Sequence, residues 1–187
     1  MQVLRRKSTM SLGRIYFWTA TIYQWNHLLA SQANKNILLN YLGFLVQNDL
    51  ITLYAIVIMP NHIHLIWRLN KYNGSESPSS SFLKHTAHEL LKELKKRDKA
   101  DIYRVDARNK KHNIWRRDSL AIEIYSRAVA RQKLAYIHCN PLRGKWRLAN
   151  TDIEYPYSSA RFYETGVDDF GFLSDLYAVF DGESPGS

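Results

Sequence analysis

The longest apolar stretch of the chain, Ile51–Leu69, is interrupted once, at Met59-Pro60-Asn61. β-Branched and aromatic residues are frequent in both halves, and a proline-containing break between two such runs predicts a hairpin of two strands. Both halves are almost continuously apolar rather than alternating. We therefore expect central strands that are covered on at least part of both faces.

Helical and strand periods recur in the rest of the chain. Apolar residues at i, i+3 and i+4 predict three helices, and alternation or β-branched and aromatic content predicts two further strands. The helices cover Ile37–Val46, Ser81–Arg97 and a segment from about Ser126 to before Pro141, and the strands cover Arg14–Tyr23 and Leu120–Tyr125. The order β-α-β-β-α-β-α predicts an α+β protein, with a ferredoxin-like antiparallel four-stranded sheet and helices on one face.

The segment Lys71–Ser81 is rich in Gly, Ser and Pro, which predicts a surface loop. Ser80 or Ser81 is expected to cap the helix that follows. The buried stripe of that helix is predicted from its helical spacing. Its members are Leu83, Ala87, Leu90, Leu91 and Leu94.

A chain of 187 residues is long enough for one domain with a real core and short for two. We expect a single domain over residues 1–187, with its core at about 14–141. The turn-rich, aromatic tail 142–187 is expected to wrap around that core, and its last five residues to be disordered.

The formal charge of +9 and the isoelectric point of about 9.6 predict a polyanionic partner. Five Trp and twelve Tyr favour nucleic acid, although a solvated basic surface is the alternative. The densest basic segment is Lys99–Arg117, where phosphate pairing and base stacking would suit a nucleic-acid strand. A solvated loop with one anchoring Trp is the competing interpretation. The candidate DNA contacts are Arg108, Lys110, Lys111, Trp115, Arg116 and Arg117.

Cys139 is the only cysteine, so an internal disulfide and a cysteine zinc cluster are both excluded. The first residues are basic but lack the apolar core of a signal peptide, and no stretch approaches the length of a membrane span. We expect a cytoplasmic, nucleoid-associated protein without a membrane partner.

The candidate chemistry begins at His62 and His64, on the second strand of the hairpin. Because side chains alternate along a strand, residues i and i+2 project from the same face. Two neutral imidazoles on one face can serve as ligands for a divalent metal. A His-x-His pair alone is a weak signal, and core packing is the alternative.

The last predicted helix carries side chains that would complete such a site. Lys133, Tyr136 and Asn140 fall on one helical stripe, separate from the apolar stripe of Ala130, Leu134 and Ile137. The carbonyl oxygen of Asn140 is an acceptable third ligand for Mg²⁺ or Mn²⁺ beside two imidazoles. Lys133 is a candidate for stabilising a phenolate or a phosphate.

These residues together suggest phosphoryl transfer. A metal held by His62, His64 and Asn140 would polarise a phosphodiester, and Tyr136 would attack phosphorus as a covalent nucleophile. The bond energy would be conserved in a protein–DNA phosphotyrosine, so rejoining would need no ATP. A hydrolase that uses water lacks a carboxylate base near the motif. A non-catalytic nucleic-acid-binding domain on the same fold remains the alternative function.

Three motifs in order, MPNHIHLIW, YIHCNPLRGKW and EYPYSSARFYETG, resemble those of the single-tyrosine HUH transposases. The nearest resemblance is to the REP-associated tyrosine transposases, a group also called IS200-like, and it extends from about Arg14 to Gly166. The His-hydrophobic-His element of that family falls on His62, Ile63 and His64. Its nucleophile falls on Tyr136 and its helix-borne metal ligand on Asn140.

The resemblance implies a divalent cation (Mg²⁺ or Mn²⁺) and cleavage of single-stranded DNA to give a 5′-phosphotyrosine and a free 3′-hydroxyl. It also implies recognition of hairpins in repetitive DNA, with transposition or mobilisation of such elements as the function. Where the family often has Pro-Val-Arg-Ala-Gly, this chain has Pro141-Leu142-Arg143-Gly144-Lys145. This departure affects the DNA contacts expected there, including Arg143. Either a monomer or a homodimer is compatible with the resemblance.

Overall fold

A computed structural model of the chain describes residues 9–107 and 110–181. The predicted disorder of the last five residues and the candidate DNA contact Arg108 lie outside these ranges. No helix within them is long and apolar enough to cross a membrane. The strands and helices, in chain order, are β1 (Ile15–Thr21), α1 (Gln32–Gln47), β2 (Ile51–Met59), β3 (His62–Leu69), α2 (Pro78–Lys96), β4 (Arg104–Ala107), β5 (Lys110–His112), β6 (Leu120–Glu123), α3 (Arg127–Cys139) and α4 (Ala160–Thr165).

The main sheet has four strands in the order β2-β3-β1-β6, and every neighbouring pair is antiparallel. This is the predicted α+β, ferredoxin-like arrangement, and the fold class is confirmed. The Ile51–Leu69 segment forms the predicted hairpin, with its break at Pro60-Asn61. The two central strands, β3 and β1, are therefore paired on both edges.

Each face of the sheet carries its own apolar cluster. Alternate residues of β1 divide between them, so that Trp18 packs with helices α1 and α2, whereas Phe17 packs with α3. The expectation of helices on one face holds for α1 and α2. Helix α3 covers the opposite face, where Ala130, Leu134 and Ile137 are buried as their stripe predicted.

Helix α2 begins earlier than predicted. Pro78 occupies its first turn, and the Oγ of Ser77 accepts a hydrogen bond from the backbone N–H of Ser80 at 3.2 Å. The prediction of Ser80 or Ser81 as the cap is wrong, because proline at the first helical position needs no N–H partner and extends the helix upstream. On the buried face of α2, the side chains of Phe82, Thr86 and Leu90 are fully buried, and that of Leu94 is nearly so.

The basic segment Lys99–Arg117 contains a short hairpin, β4–β5, rather than an irregular loop. Trp115 follows it and is only 5% exposed, and its Nε1–H donates to the Oγ1 of Thr86 at 3.0 Å. The prediction that Trp115 stacks on DNA is wrong, because an indole held in the core offers no free face. The alternative of one anchoring Trp describes its role.

The segment after α3 runs back along β2. The hydroxyl of Tyr155 donates to the carbonyl of Ile58 at 2.7 Å, and Ser158 forms a β-bridge with Val57. Leu176 and Phe180 are buried in the cluster that α3 also covers. Helix α3 thus contacts both the sheet and the segment that follows it.

Candidate active site

His62 and His64 lie on the face of β3 that α3 covers. The register pairs them with Thr21 and Thr19 of β1, and their ring centroids are 4.7 Å apart. Both side chains are buried. The i, i+2 spacing therefore brings the two imidazoles together on one face, beside the turn that precedes β3.

A hydrogen bond at Nδ1 orients each imidazole. The Nδ1 of His62 lies 2.6 Å from the Oδ1 of Asn61, and that of His64 lies 2.7 Å from the Oγ1 of Thr19. Because an amide oxygen only accepts, the proton of neutral His62 sits on Nδ1 and its Nε2 carries the lone pair. The Nε2 of His64 is buried and has no hydrogen-bond partner among the described residues.

Burial keeps both histidines neutral. It lowers the pKa of His62 to about 4, against a smaller opposing effect of its hydrogen bond with Asn140. Burial, with a smaller effect of the neighbouring His62, lowers the pKa of His64 to about 3. At neutral pH both imidazoles are therefore in the form that can bind a metal.

Tyr136 lies beside this pair within the same chain. Its ring centroid is 5.3 Å from that of His64 and 5.7 Å from that of Phe17, both in edge-on arrangements. The side chain is 41% exposed, so the phenol is open to solvent while its ring contacts the site. The helix that carries Tyr136 meets its own His62/His64 strand, which periodicity alone could not establish.

Asn140 ends the same helix one turn further on. Its Nδ2 donates to the carbonyl of Tyr136 at 3.1 Å, and its side chain lies near enough to His62 to raise the pKa of that imidazole, against the larger effect of burial. Because Nδ2 is engaged in that bond, the Oδ1 of Asn140 is the atom of this amide that can accept a further bond or a metal. The two histidines, Tyr136 and Asn140 are therefore brought together, as their predicted roles require.

One cation lies against the ring of Tyr136, and a second lies against the neighbouring ring of Phe17. The Nζ of Lys133 lies 5.2 Å from the ring centroid of Phe17, and the guanidinium carbon of Arg143 lies 6.0 Å from the ring centroid of Tyr136. Both positions suit stabilisation of negative charge that develops near the phenol. Lys133 and Arg143 are thus placed at the candidate site.

The other sequence-predicted residues lie elsewhere. Lys110 and Lys111 belong to strand β5, and Arg116 and Arg117 follow Trp115 in the segment that leads toward β6. His138, which lies within the helix motif, is buried and bonds through Nε2 to the Oγ of Ser159 at 3.0 Å. It packs against the segment after α3 and does not join the histidine pair.

Three residues near the pair were not singled out from the sequence. Asn61 and Thr19 orient the imidazoles, and the ring centroid of Trp146 lies 6.2 Å from that of His62. Asn61 and Trp146 lie within the motifs MPNHIHLIW and YIHCNPLRGKW, so their positions in the sequence could have indicated a role at the site. Thr19 had no such signal, because its contact depends on the pairing of distant strands.

The donor set fits a hard divalent cation that keeps solvent or phosphate ligands. No group of three His, Cys, Asp or Glu side chains is arranged for a metal in the described part of the chain. The two imidazoles and the side chain of Asn140 do lie together, and the unpartnered, buried Nε2 of His64 is explained if it binds a metal. Mg²⁺ in particular retains several waters and is often completed by substrate phosphates.

Comparison with known proteins gives a structural match. No known family profile matches the chain, and no curated protein does. A solved structure of a REP-associated tyrosine transposase bound to a REP hairpin matches with a TM-score of 0.59 and 21% identity, over 94% of this chain and 93% of that one. The two chains share one fold. At this identity the likeness concerns the fold alone, and it agrees with the predicted ferredoxin-like architecture.

A second solved structure is described as a candidate transposase from Deinococcus radiodurans. It is 16% identical and covers 71% of this chain and 95% of its own, with a TM-score of 0.41. At this TM-score the similarity is too weak to support a conclusion about this chain.

Proposed function

We propose that this protein is a single-tyrosine transposase of the REP-associated, IS200-like type. In this proposal it is an Mg²⁺- or Mn²⁺-dependent endonuclease and strand transferase, and it cleaves single-stranded DNA through a covalent 5′-phosphotyrosine. The observation that carries the proposal is the position of Tyr136, whose half-exposed ring stands 5.3 Å from that of His64 in the same chain. A nucleophile next to a neutral imidazole pair is what metal-assisted attack on a phosphodiester requires.

The metal would be held by His62 and His64, each through its Nε2, and by the Oδ1 of Asn140. When bound, it supplies Lewis-acid polarisation of the phosphodiester. Because all three ligands and Tyr136 belong to one chain, a monomer has the complete set. We propose that the site acts in cis, whether or not the protein also forms a homodimer.

The residues of the chain carry the remaining steps. The Oη of Tyr136 gives its proton to water and attacks phosphorus, a P–O bond to tyrosine forms, and the bond from phosphorus to the 3′-oxygen breaks. The departing 3′-oxygen takes up a proton and becomes a hydroxyl. Lys133 and Arg143 stabilise the negative charge of the phenolate and the phosphate. Attack by a 3′-hydroxyl on the phosphotyrosine reverses these steps and rejoins DNA.

Hairpin DNA is the proposed partner, in transposition or mobilisation of repeat elements in the cytoplasm. The transposase that shares this fold is bound to a REP hairpin in its solved structure. The charge of +9 on this chain supports a polyanionic partner. Both observations support the substrate class without specifying a sequence.

A test uses a hairpin oligonucleotide labelled at its 3′ end, incubated with the protein in Mn²⁺ and resolved under denaturing conditions. The wild type is expected to retain the labelled fragment covalently, because cleavage leaves the 5′-phosphate on the protein. The Tyr136→Phe variant is expected to lose the adduct entirely and still bind the oligonucleotide. The exposed Tyr125, immediately before α3, provides the matched control as Tyr125→Phe. An adduct that survives in Tyr136→Phe would exclude Tyr136 as the nucleophile.

A non-catalytic nucleic-acid-binding domain is the second candidate. Phe17 and His64 stack with ring centroids 5.3 Å apart and an interplanar angle of 24°, an arrangement that also suits a packing histidine. In that case the same oligonucleotide would bind with strong salt dependence, and no adduct would form in Mg²⁺ or Mn²⁺.

A further inference from the structure

A turn at Tyr23–Trp25, directly after β1, holds a large aromatic side chain on the surface. Trp25 is 53% exposed, although indoles are usually largely buried. Gln24 and Trp25 have φ angles of 53° and 58°, in the left-handed region that side chains other than glycine rarely adopt. Such a conformation persists only where its surroundings enforce it, and it is frequent at ligand sites.

Hydrogen bonds from three directions enforce this turn. The N–H of Tyr23 donates to the carbonyl of Ile114, and the N–H of Trp25 donates to that of Ile22, at 2.8 and 3.0 Å. The Nδ2 of Asn61 donates to the carbonyl of Trp25 at 3.2 Å. The backbone that presents the exposed indole is therefore held in place before any ligand binds.

The turn lines a cavity of about 500 Å³, whose lining also includes Val105, Asn113, Arg116 and Arg117. The guanidinium carbon of Arg116 lies 5.1 Å from the ring centroid of Trp25. Neither arginine forms an ion pair with the described residues, and the described lining contains no carboxylate. The cavity thus combines an aromatic face with two cations available for an anion.

The cavity is connected to the candidate active site through one side chain. The amide of Asn61 donates to Trp25 through Nδ2, and its Oδ1 accepts from the Nδ1 of His62. Two hydrogen bonds of one side chain, that of Asn61, therefore join the cavity lining to the imidazole pair.

We propose that this cavity binds one nucleotide of the single-stranded DNA, with its base stacked on Trp25 and its phosphate paired with Arg116 and Arg117. The proposal rests on the function proposed above and adds a binding subsite to it. A free phosphate would explain the two cations but not the exposed indole. A nucleotide would use both features, since its base stacks on the indole and its phosphate pairs with the arginines. The volume of the cavity is in the range of pockets that hold small ligands.

The test measures binding in the Tyr136→Phe background with EDTA, so that no chemistry intervenes. Trp25→Ala is expected to raise the Kd for a labelled hairpin with single-stranded flanks by about 5- to 150-fold, the range of base–aromatic stacking. Trp25→Phe keeps an aromatic face and is expected to stay within about threefold of the parent. The exposed Tyr72, just past the opposite end of β3, gives the control Tyr72→Ala, with no expected change.

An abasic scan of the flanks separates stacking from other losses. At one position, removing the base is expected to weaken binding to the parent and to abolish the further effect of Trp25→Ala. Arg116→Gln and Arg117→Gln are each expected to reduce the salt slope of log K by about 1. An unchanged Kd in Trp25→Ala, or a loss that no abasic position removes, would overturn the proposal. Because these measurements need neither metal nor Tyr136, their failure would leave the adduct test untouched.

Discussion

At the scale of single residues, the chemistry of the site depends on which ring nitrogen of each histidine is free. Nδ1 of His62 donates to the Oδ1 of Asn61, and Nδ1 of His64 is hydrogen-bonded to the Oγ1 of Thr19, so neither bond uses an Nε2 atom. Such outer partners commonly contribute 10- to 100-fold to metal affinity. Thr19 is the cleaner one to test, because valine has nearly the same shape as threonine.

We predict that Thr19→Val weakens Mn²⁺ binding by about 10- to 100-fold, because His64 loses the hydrogen bond that orients its ring. Calorimetric titration with Mn²⁺ measures this effect independently of activity. Thr52→Val is the matched control, since the hydroxyl of Thr52 bonds to Arg68 and Asn70 at the other end of the sheet. Equal Mn²⁺ affinities in the two variants would show that the Thr19 contact does not support a metal site.

Site residues that lie on the same strand or helix could be predicted from the sequence. Those that meet only through the pairing of distant segments could not. The spacing from His62 to His64, and from Tyr136 to Asn140, lies within one strand or one helix and can be deduced from periodicity. Thr19 contacts a residue 45 positions away, which only the strand register reveals. Trp115 was the stacking candidate named from the sequence and Trp25 was not, because burial of one indole and exposure of the other depend on tertiary packing.

At the scale of elements, the placement of α3 decides whether the site exists. Its buried stripe was predictable, but its position on the face opposite α1 and α2 was not, because amphipathic spacing specifies a face of the helix and not a face of the sheet. Ala130 is completely buried where α3 meets the sheet, and Ala128 on the same helix is exposed. The pair allows the same substitution to be made inside and outside that contact.

We predict that Ala130→Leu lowers the free energy of unfolding by about 1–3 kcal/mol, since extra methyl groups overpack a filled contact. It should also slow adduct formation by at least about 10-fold, because Tyr136 moves with the helix and small misplacements of a nucleophile are costly. Urea denaturation and the adduct time course measure the two effects. Ala128→Leu should change neither, and an unchanged adduct rate in Ala130→Leu would mean that the α3–sheet contact does not position Tyr136.

At the scale of the whole molecule, burying histidines makes stability depend on pH. His62, His64 and His138 have pKa values lowered by burial, to about 4, 3 and 4, against an ordinary value near 6.5. Below pH ~6.5 these histidines bind protons in the unfolded chain but remain largely unprotonated in the folded chain. The free energy of unfolding therefore falls as the pH falls toward 4. The three residues connect the sheet, α3 and the segment after it, so this acid sensitivity belongs to the assembled domain.

His138 isolates one part of this effect, because it bonds to Ser159 and lies outside the imidazole pair. In EDTA, we predict that the free energy of unfolding of the wild type declines between pH 6 and 4.5 more steeply than that of His138→Gln, by at most about 1.4 kcal/mol per pH unit. Urea denaturation at a series of pH values measures both slopes. The exposed His88 provides the control, and His88→Gln should keep the wild-type slope. If His138→Gln and the wild type lost stability in parallel, His138 would bind its proton equally well in the folded and the unfolded chain. Its burial against Ser159 would then not hold it neutral.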